Sequence, residues 1–333
     1  MLARATDYET GSFENCRTPA RSTADTRYSR RTAIPACHSD IMPSLERKFP
    51  DPLPSIYPEP EFRVSGHRAQ WYADMKQVFQ VPWMGVVTMA FSHYPHFFGT
   101  LWRGLKPLAL SKPFVEGCAR LRSHTETLVG ALSPDRIVRR LETIGYAPRE
   151  IDQIRSSIEV FSHGNFPYLL TATAARRLLE GYELANSTNA PLYEGRHAPE
   201  VDVPFVLMET HHADHGTRQL YQDIKDALGL PFVNTDYRAL ARWPSYFALA
   251  WRDLKPYVNS EEHAAICQEI HEAADRLMGQ QLPNPGALTA AELLDAAKRD
   301  GKSEEILQVT RLFQWLLPGL VTNVAFLRTQ LTA

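Results

Sequence analysis

Apolar residues along most of this chain recur at steps of three and four, not two. Ile151, Ile154, Ile158 and Phe161 form one such stripe, which predicts a helix with a single buried face. Helix-start signals accompany the pattern. Ser133-Pro134-Asp135 reads as an N-cap followed by proline in the first turn, and Thr289 with Glu292 has capping-box spacing. Ser260-Glu261-Glu262 and Ser303-Glu304-Glu305 each put carboxylates at the positive end of a helix dipole. No stretch alternates apolar and polar residues between hairpin turns. The pattern predicts an all-α chain.

The first 60 residues depart from it. Pro43, Pro50, Pro52, Pro54, Pro58 and Pro60 interrupt any regular element, and the segment is rich in Ser, Thr and Arg. Residues 1–60 therefore read as a disordered or extended N-terminal segment. Asp7, Glu9, Glu14, Asp25 and Asp40, with no apolar block, argue against a targeting peptide, and Met42 offers an alternative translation start.

After residue 60 the chain repeats itself. Residues 70–130 align without a gap onto 219–279 at an offset of 149, with 17 identities in 61 positions. Random sequence of average composition would give roughly four. The densest match sets Trp102-Arg103-Gly104-Leu105-Lys106-Pro107 against Trp251-Arg252-Asp253-Leu254-Lys255-Pro256. Further on, Phe166-Pro167-Tyr168-Leu169 matches Leu317-Pro318-Gly319-Leu320, the offset having grown to 151. Two helical repeats, 61–188 and 207–333, are expected to pack as a pseudo-dimer, joined by a polar linker over 189–206.

Composition narrows the function. Thirty-six Lys and Arg against 38 Asp and Glu give a formal charge of −2, which lacks the concentrated positive charge that phosphate binding needs. The longest nearly apolar run, residues 81–91, is far shorter than a spanning helix. Cys16, Cys37, Cys118 and Cys267 form no C-x-x-C pair, so a dithiol peroxidase on a related helical fold is nearly excluded. Neither nucleic acid nor membrane is an expected partner, and a reducing cytoplasm is the expected location. A homodimer is compatible with the sequence.

The informative chemistry lies where the two copies differ. Gly85-Val86-Val87 in the first becomes Asn234-Thr235-Asp236 in the second. One reading is a helix N-cap, where all three polar types are favoured. The other is a general base, Asp236, at the meeting of the halves, where ligand sites commonly form. The stretch from His163 to Tyr168 is expected to interrupt a helix at Pro167 and to aim Asn165 and Tyr168 into a cavity. His211, His212 and His215 could present metal-ligand spacing, but no third ligand follows and a solvated helix start is the better reading. Gly-rich phosphate loops and the G-x-S-x-G elbow are missing. Trp83 stands one turn from the point of divergence.

With Pro82-Trp83 and Asn165-x-x-Tyr168 upstream, the run from Val233 to Pro244 resembles the group I 2-haloacid dehalogenases. These are all-helical, internally duplicated enzymes unrelated to the Rossmann-like haloacid dehalogenase superfamily. The resemblance covers about residues 60–333 and implies hydrolysis of short 2-haloacids without metal or organic cofactor. It implies that Asp236 activates a water that Asn165 helps to hold, and that this water displaces halide with inversion and no ester intermediate. It further implies that Trp83, Gly85, Val86 and Tyr168 line the substrate pocket beside Asn234 and Thr235. Thr235 stands where serine is usual. A position that is asparagine in members accepting both enantiomers falls on Ala250, and alanine there implies a D preference. A covalent mechanism through Asp236 and a non-catalytic helical interaction module are the alternatives.

Overall fold

The computed structural model describes residues 44–332 apart from Asp202. The greater part of the expected disordered segment, 1–43, lies outside the described residues. Residues 44–60 form no helix or strand, yet they are fixed to the body of the protein. Leu45 is buried, its N–H donates to Asp275 Oδ2 at 3.0 Å, and its carbonyl accepts from His271 Nε2 at 2.5 Å. Burial of this leucine with both backbone groups satisfied anchors the strap at that point.

The described residues then run through twelve helices: α1 (Gly66–Phe79), α2 (Val86–Phe91), α3 (Pro95–Ala109), α4 (Lys112–Ala131), α5 (Val138–Thr143), α6 (Pro148–Leu179), α7 (His215–Leu228), α8 (Thr235–Leu240), α9 (Pro244–Val258), α10 (Glu261–Arg276), α11 (Ala290–Arg299) and α12 (Ser303–Gln330). A π turn over Leu277–Gln281 extends α10. The described residues contain no strand, only an isolated bridge between Ser111 and Leu192. None of the described helices is long and apolar enough to cross a membrane.

Helices of equal length recur along the chain. α1 and α7 have 14 residues each, α2 and α8 have six, and α3 and α9 have 15, each pair beginning 149 residues apart. The matched Trp-Arg-x-Leu-Lys-Pro stretches carry the same polar clasp. Trp102 Nε1 donates to Asp74 at 2.8 Å and Lys106 Nζ at 2.6 Å, while Trp251 and Lys255 do the same to Asp223 at the same distances. A buried indole N–H needs an acceptor, and each aspartate supplies one.

Some of the expected helix starts form and one does not. Thr289 forms its capping box with Glu292, and Ser260 Oγ accepts from the His263 N–H. Glu304 and Glu305 lie in the first turn of α12. Ser133 caps nothing. Its φ is +50°, and α5 begins only after Ile137, whose N–H donates to the Gln330 carbonyl at 3.0 Å. A long-range backbone partner there replaces the local cap.

The expected break at Pro167 is also corrected: α6 runs unbroken through it for 32 residues. A proline inside a helix costs about 3 kcal/mol. Side-chain burial offsets it, since between residues 160 and 179 only His163 is not buried. α6 and α12 lie along each other through the interior, making the most extensive helix–helix contact of the fold.

Candidate active site

The chain enters α8 through Asn234, whose extended backbone (φ −60°, ψ 154°) is that of an N-cap. Its side chain caps nothing. Asn234 Oδ1 and Thr235 Oγ1 are buried without a hydrogen-bond partner, and Asp236 Oδ1 accepts from Asn165 Nδ2 at 2.7 Å. The capping reading therefore explains the backbone but not the side chains. Buried polar atoms left unpartnered are costly, and they collect where a ligand completes them.

These side chains face a cavity of about 20 Å3, room for about one water. The first part of the chain contributes Trp83, Gly85, Val86, Val87, Asn165 and Tyr168 to its walls. The second contributes Asn234, Thr235 and Asp236, with Phe313, Leu316, Leu317 and Leu320 of α12. Every residue singled out from the sequence is thus brought together except Ala250. That residue is fully buried in α9 and is not part of the lining. Sequence reading missed Val87 and the α12 wall. Its trace was visible as the spacing of Phe313, Leu316, Leu317 and Leu320, and as leucine at the counterpart of Asn165.

Two glycines allow the walls to close. A Cβ on Gly85 would stand 2.9 Å from Tyr168 Cδ1. One on Gly164 would overlap the Trp83 ring and stand 2.7 Å from Val81 Cγ1. Trp83 is held further by Phe205, stacked at 5.5 Å, and by Phe161 at 4.9 Å. The Tyr168 hydroxyl donates to the Trp83 carbonyl at 2.6 Å, so the phenol locks this wall rather than pointing free into the space.

Among the described residues, Asp236 is the only charged group on the lining, and it is 2% exposed. Burial pushes its pKa up to about 6, with the Asn165 hydrogen bond and the Arg238 charge opposing. Desolvation disfavours the carboxylate and strengthens it as a base. Arg238 itself is paired with Glu209 at 2.7 Å. Elsewhere, Asp214 accepts from the Thr217 N–H at 2.7 Å and caps α7, which accounts for the His-rich stretch as a helix start. The described residues hold no cluster of three or more metal-type ligands.

An all-helical fold thus sets one desolvated carboxylate and two amides around a water-sized space. No family model matches the chain. It is 46% identical over 248 residues to an (R)-2-haloacid dehalogenase of Rhizobium sp. (strain NHG3), covering 74% of this chain and 96% of the relative. It is 35% identical over 293 residues to an (R)-2-haloacid dehalogenase of Pseudomonas putida, covering 86% and 97%. A crystal structure of a D-2-haloacid dehalogenase mutant superposes with a TM-score of 0.79 at 34% identity, covering 87% of this chain and 99% of that one. The chain belongs to the helical 2-haloacid dehalogenase family, hydrolases acting on carbon–halide bonds.

Proposed function

We propose that this protein hydrolyses short-chain 2-haloalkanoic acids to 2-hydroxy acids and halide, with Asp236 as general base. Asp236 takes a proton from a water held by Asn165 as the water oxygen bonds to the substrate α-carbon. The carbon–halogen bond breaks with its electron pair, halide leaves, and the carbon inverts because attack comes from the opposite side. An amide suits the water because it donates and accepts without adding charge. Fixing the water and the α-carbon in line supplies up to about 7–11 kcal/mol of the barrier reduction.

Trp83, Gly85, Val86 and Tyr168 form the apolar wall for halogen and alkyl group. Thr235 offers the substrate carboxylate an unpartnered hydroxyl, with the Asn234 amide beside it. The single observation that carries this reading is the buried Asn165–Asp236 contact on a cavity with room for about one water. A preference for the D-enantiomer is supported by the names of the relatives, and no longer by Ala250. A cytoplasmic location and a homodimer rest on the sequence alone, and fractionation and sedimentation test them.

Halide release from each enantiomer of 2-chloropropionate by wild type and Asp236→Asn tests the function. Wild type should favour the D form and the variant should be inactive on both. Equal release by the two proteins would remove Asp236 from the chemistry.

A further inference from the structure

A second cavity of about 280 Å3 adjoins the first and shares Asn234, Leu316 and Leu320 with it. The two aligned parts of the chain show how it arises. Phe79, Phe114 and Tyr168 correspond to Leu228, His263 and Gly319. In the first part three rings fill the space, Phe79 standing edge-on to Tyr168 at 5.4 Å and parallel to Phe114 at 6.2 Å. In the second part the three smaller replacements all line the hollow. A Cβ on Gly319 would meet nothing closer than 3.8 Å.

The hollow is uncharged but for Arg47, brought in by the N-terminal strap two residues beyond the anchored Leu45. Burial lowers the pKa of His263, and its ring bonds to Asn323 at 2.8 Å. Arg47 lies 5.3 Å from the Trp315 ring centroid and donates through one terminal nitrogen to the Trp315 carbonyl at 3.3 Å. Its Nε is buried without a partner, and among the described residues no carboxylate is within ion-pair distance of it. A part-buried guanidinium with an unfilled Nε–H facing a hollow is complementary to a small carboxylate. The Asp236 cavity, in contrast, has no cation on its lining to balance an anionic substrate beside an anionic base.

We propose that this second cavity is an anion antechamber, in which Arg47 receives the carboxylate of a small monocarboxylic acid on its way to Asp236. The inference rests on the dehalogenase reading and deepens it. Ring loss at Leu228, His263 and Gly319 opens the chamber, and the strap supplies its charge. The shared wall of Asn234, Leu316 and Leu320 is the passage between the two spaces.

Three variants and one non-reactive probe test it. Arg47→Gln should raise KM for D-2-chloropropionate about tenfold, the effect of losing one charge-assisted hydrogen bond, with kcat within about twofold. Arg47→Lys should recover most of that loss. Gly319→Phe, which refills the chamber, should lower kcat/KM at least about tenfold while circular dichroism stays that of wild type. Calorimetric titration with propionate should show binding that Arg47→Gln weakens by a similar factor. Wild-type kcat/KM in both Arg47→Gln and Gly319→Phe, with halide released normally, overturns the antechamber and leaves the dehalogenase reading standing. If wild type releases no halide yet binds propionate through Arg47, the dehalogenase reading falls and the anion site stands. Propionate binding that ignores Arg47 overturns the site. Should Gly319→Phe fail to fold, the Arg47 pair decides.

Discussion

Asn165 Nδ2 donates to Asp236 Oδ1 at 2.7 Å, joining the middle of α6 to the first turn of α8 across 71 residues of chain. Both side chains are buried, and the amide opposes its surroundings. It steadies the carboxylate, drawing its pKa down, while the apolar walls push it up further. The balance leaves a base poised near neutrality. Removing either partner should therefore change the pH behaviour as well as the rate.

Asp236→Asn should abolish turnover by about 10^2–10^4, the range for loss of a general base. It should also stabilise the protein at high pH. The folded carboxyl titrates near 6 and the unfolded one near its ordinary value of 3.8. Between those values the native state holds the extra proton, so stability falls as pH rises through that window, by about 3 kcal/mol above it. Urea unfolding should show the variant more stable than wild type at pH 8, with the gap closing at pH 4. A gap independent of pH would contradict the burial argument.

For the same reason, kcat/KM of wild type should rise through about pH 6 and level off as Asp236 loses its proton. Halide release measured from pH 4.5 to 9 checks this. A profile flat through that range would mean that another group limits the reaction.

Asn165→Ala should lower kcat by about 10^2 through loss of water positioning, with a smaller effect on KM. Its acidic limb should move to higher pH, because the hydrogen bond that favours the carboxylate is gone. An unmoved limb would separate Asn165 from the base.

Gly164→Ala should destabilise the fold by about 1–3 kcal/mol, since its methyl group and the Trp83 ring claim the same space. Gly85→Ala should do likewise through Tyr168. Thermal melting measures both, and wild-type melting of Gly164→Ala would show that the Trp83 wall is loose.

What could be read from the chain was whatever local physics decides. The Thr289 capping box and the Ile151–Ile154–Ile158 stripe depend on neighbours a few residues away, and both formed. Ser133 did not cap, because Ile137 found a partner 193 positions on at Gln330. Pro167 did not break α6, because burial along both its neighbours outweighed one missing hydrogen bond. At the site, Asn165, Tyr168, Trp83 and Asp236 could be picked out as failures of the internal match. Leu316, the counterpart of Asn165, carries the same mark, but Phe313, Leu317 and Leu320 are harder to single out, since an apolar wall looks like any core. Ala250 stands apart from the lining for a related reason: an alignment column fixes a position along a helix, not what its side chain borders.

The central claim is that Asp236 activates water and does not itself attack carbon. One turnover of D-2-chloropropionate by excess enzyme in heavy-oxygen water separates the two chemistries. Direct attack places the label in the hydroxyl of the lactate formed in that first turnover. An unlabelled lactate, with heavy oxygen appearing instead in the Asp236 carboxyl, would show that an ester had formed and would contradict the general-base mechanism.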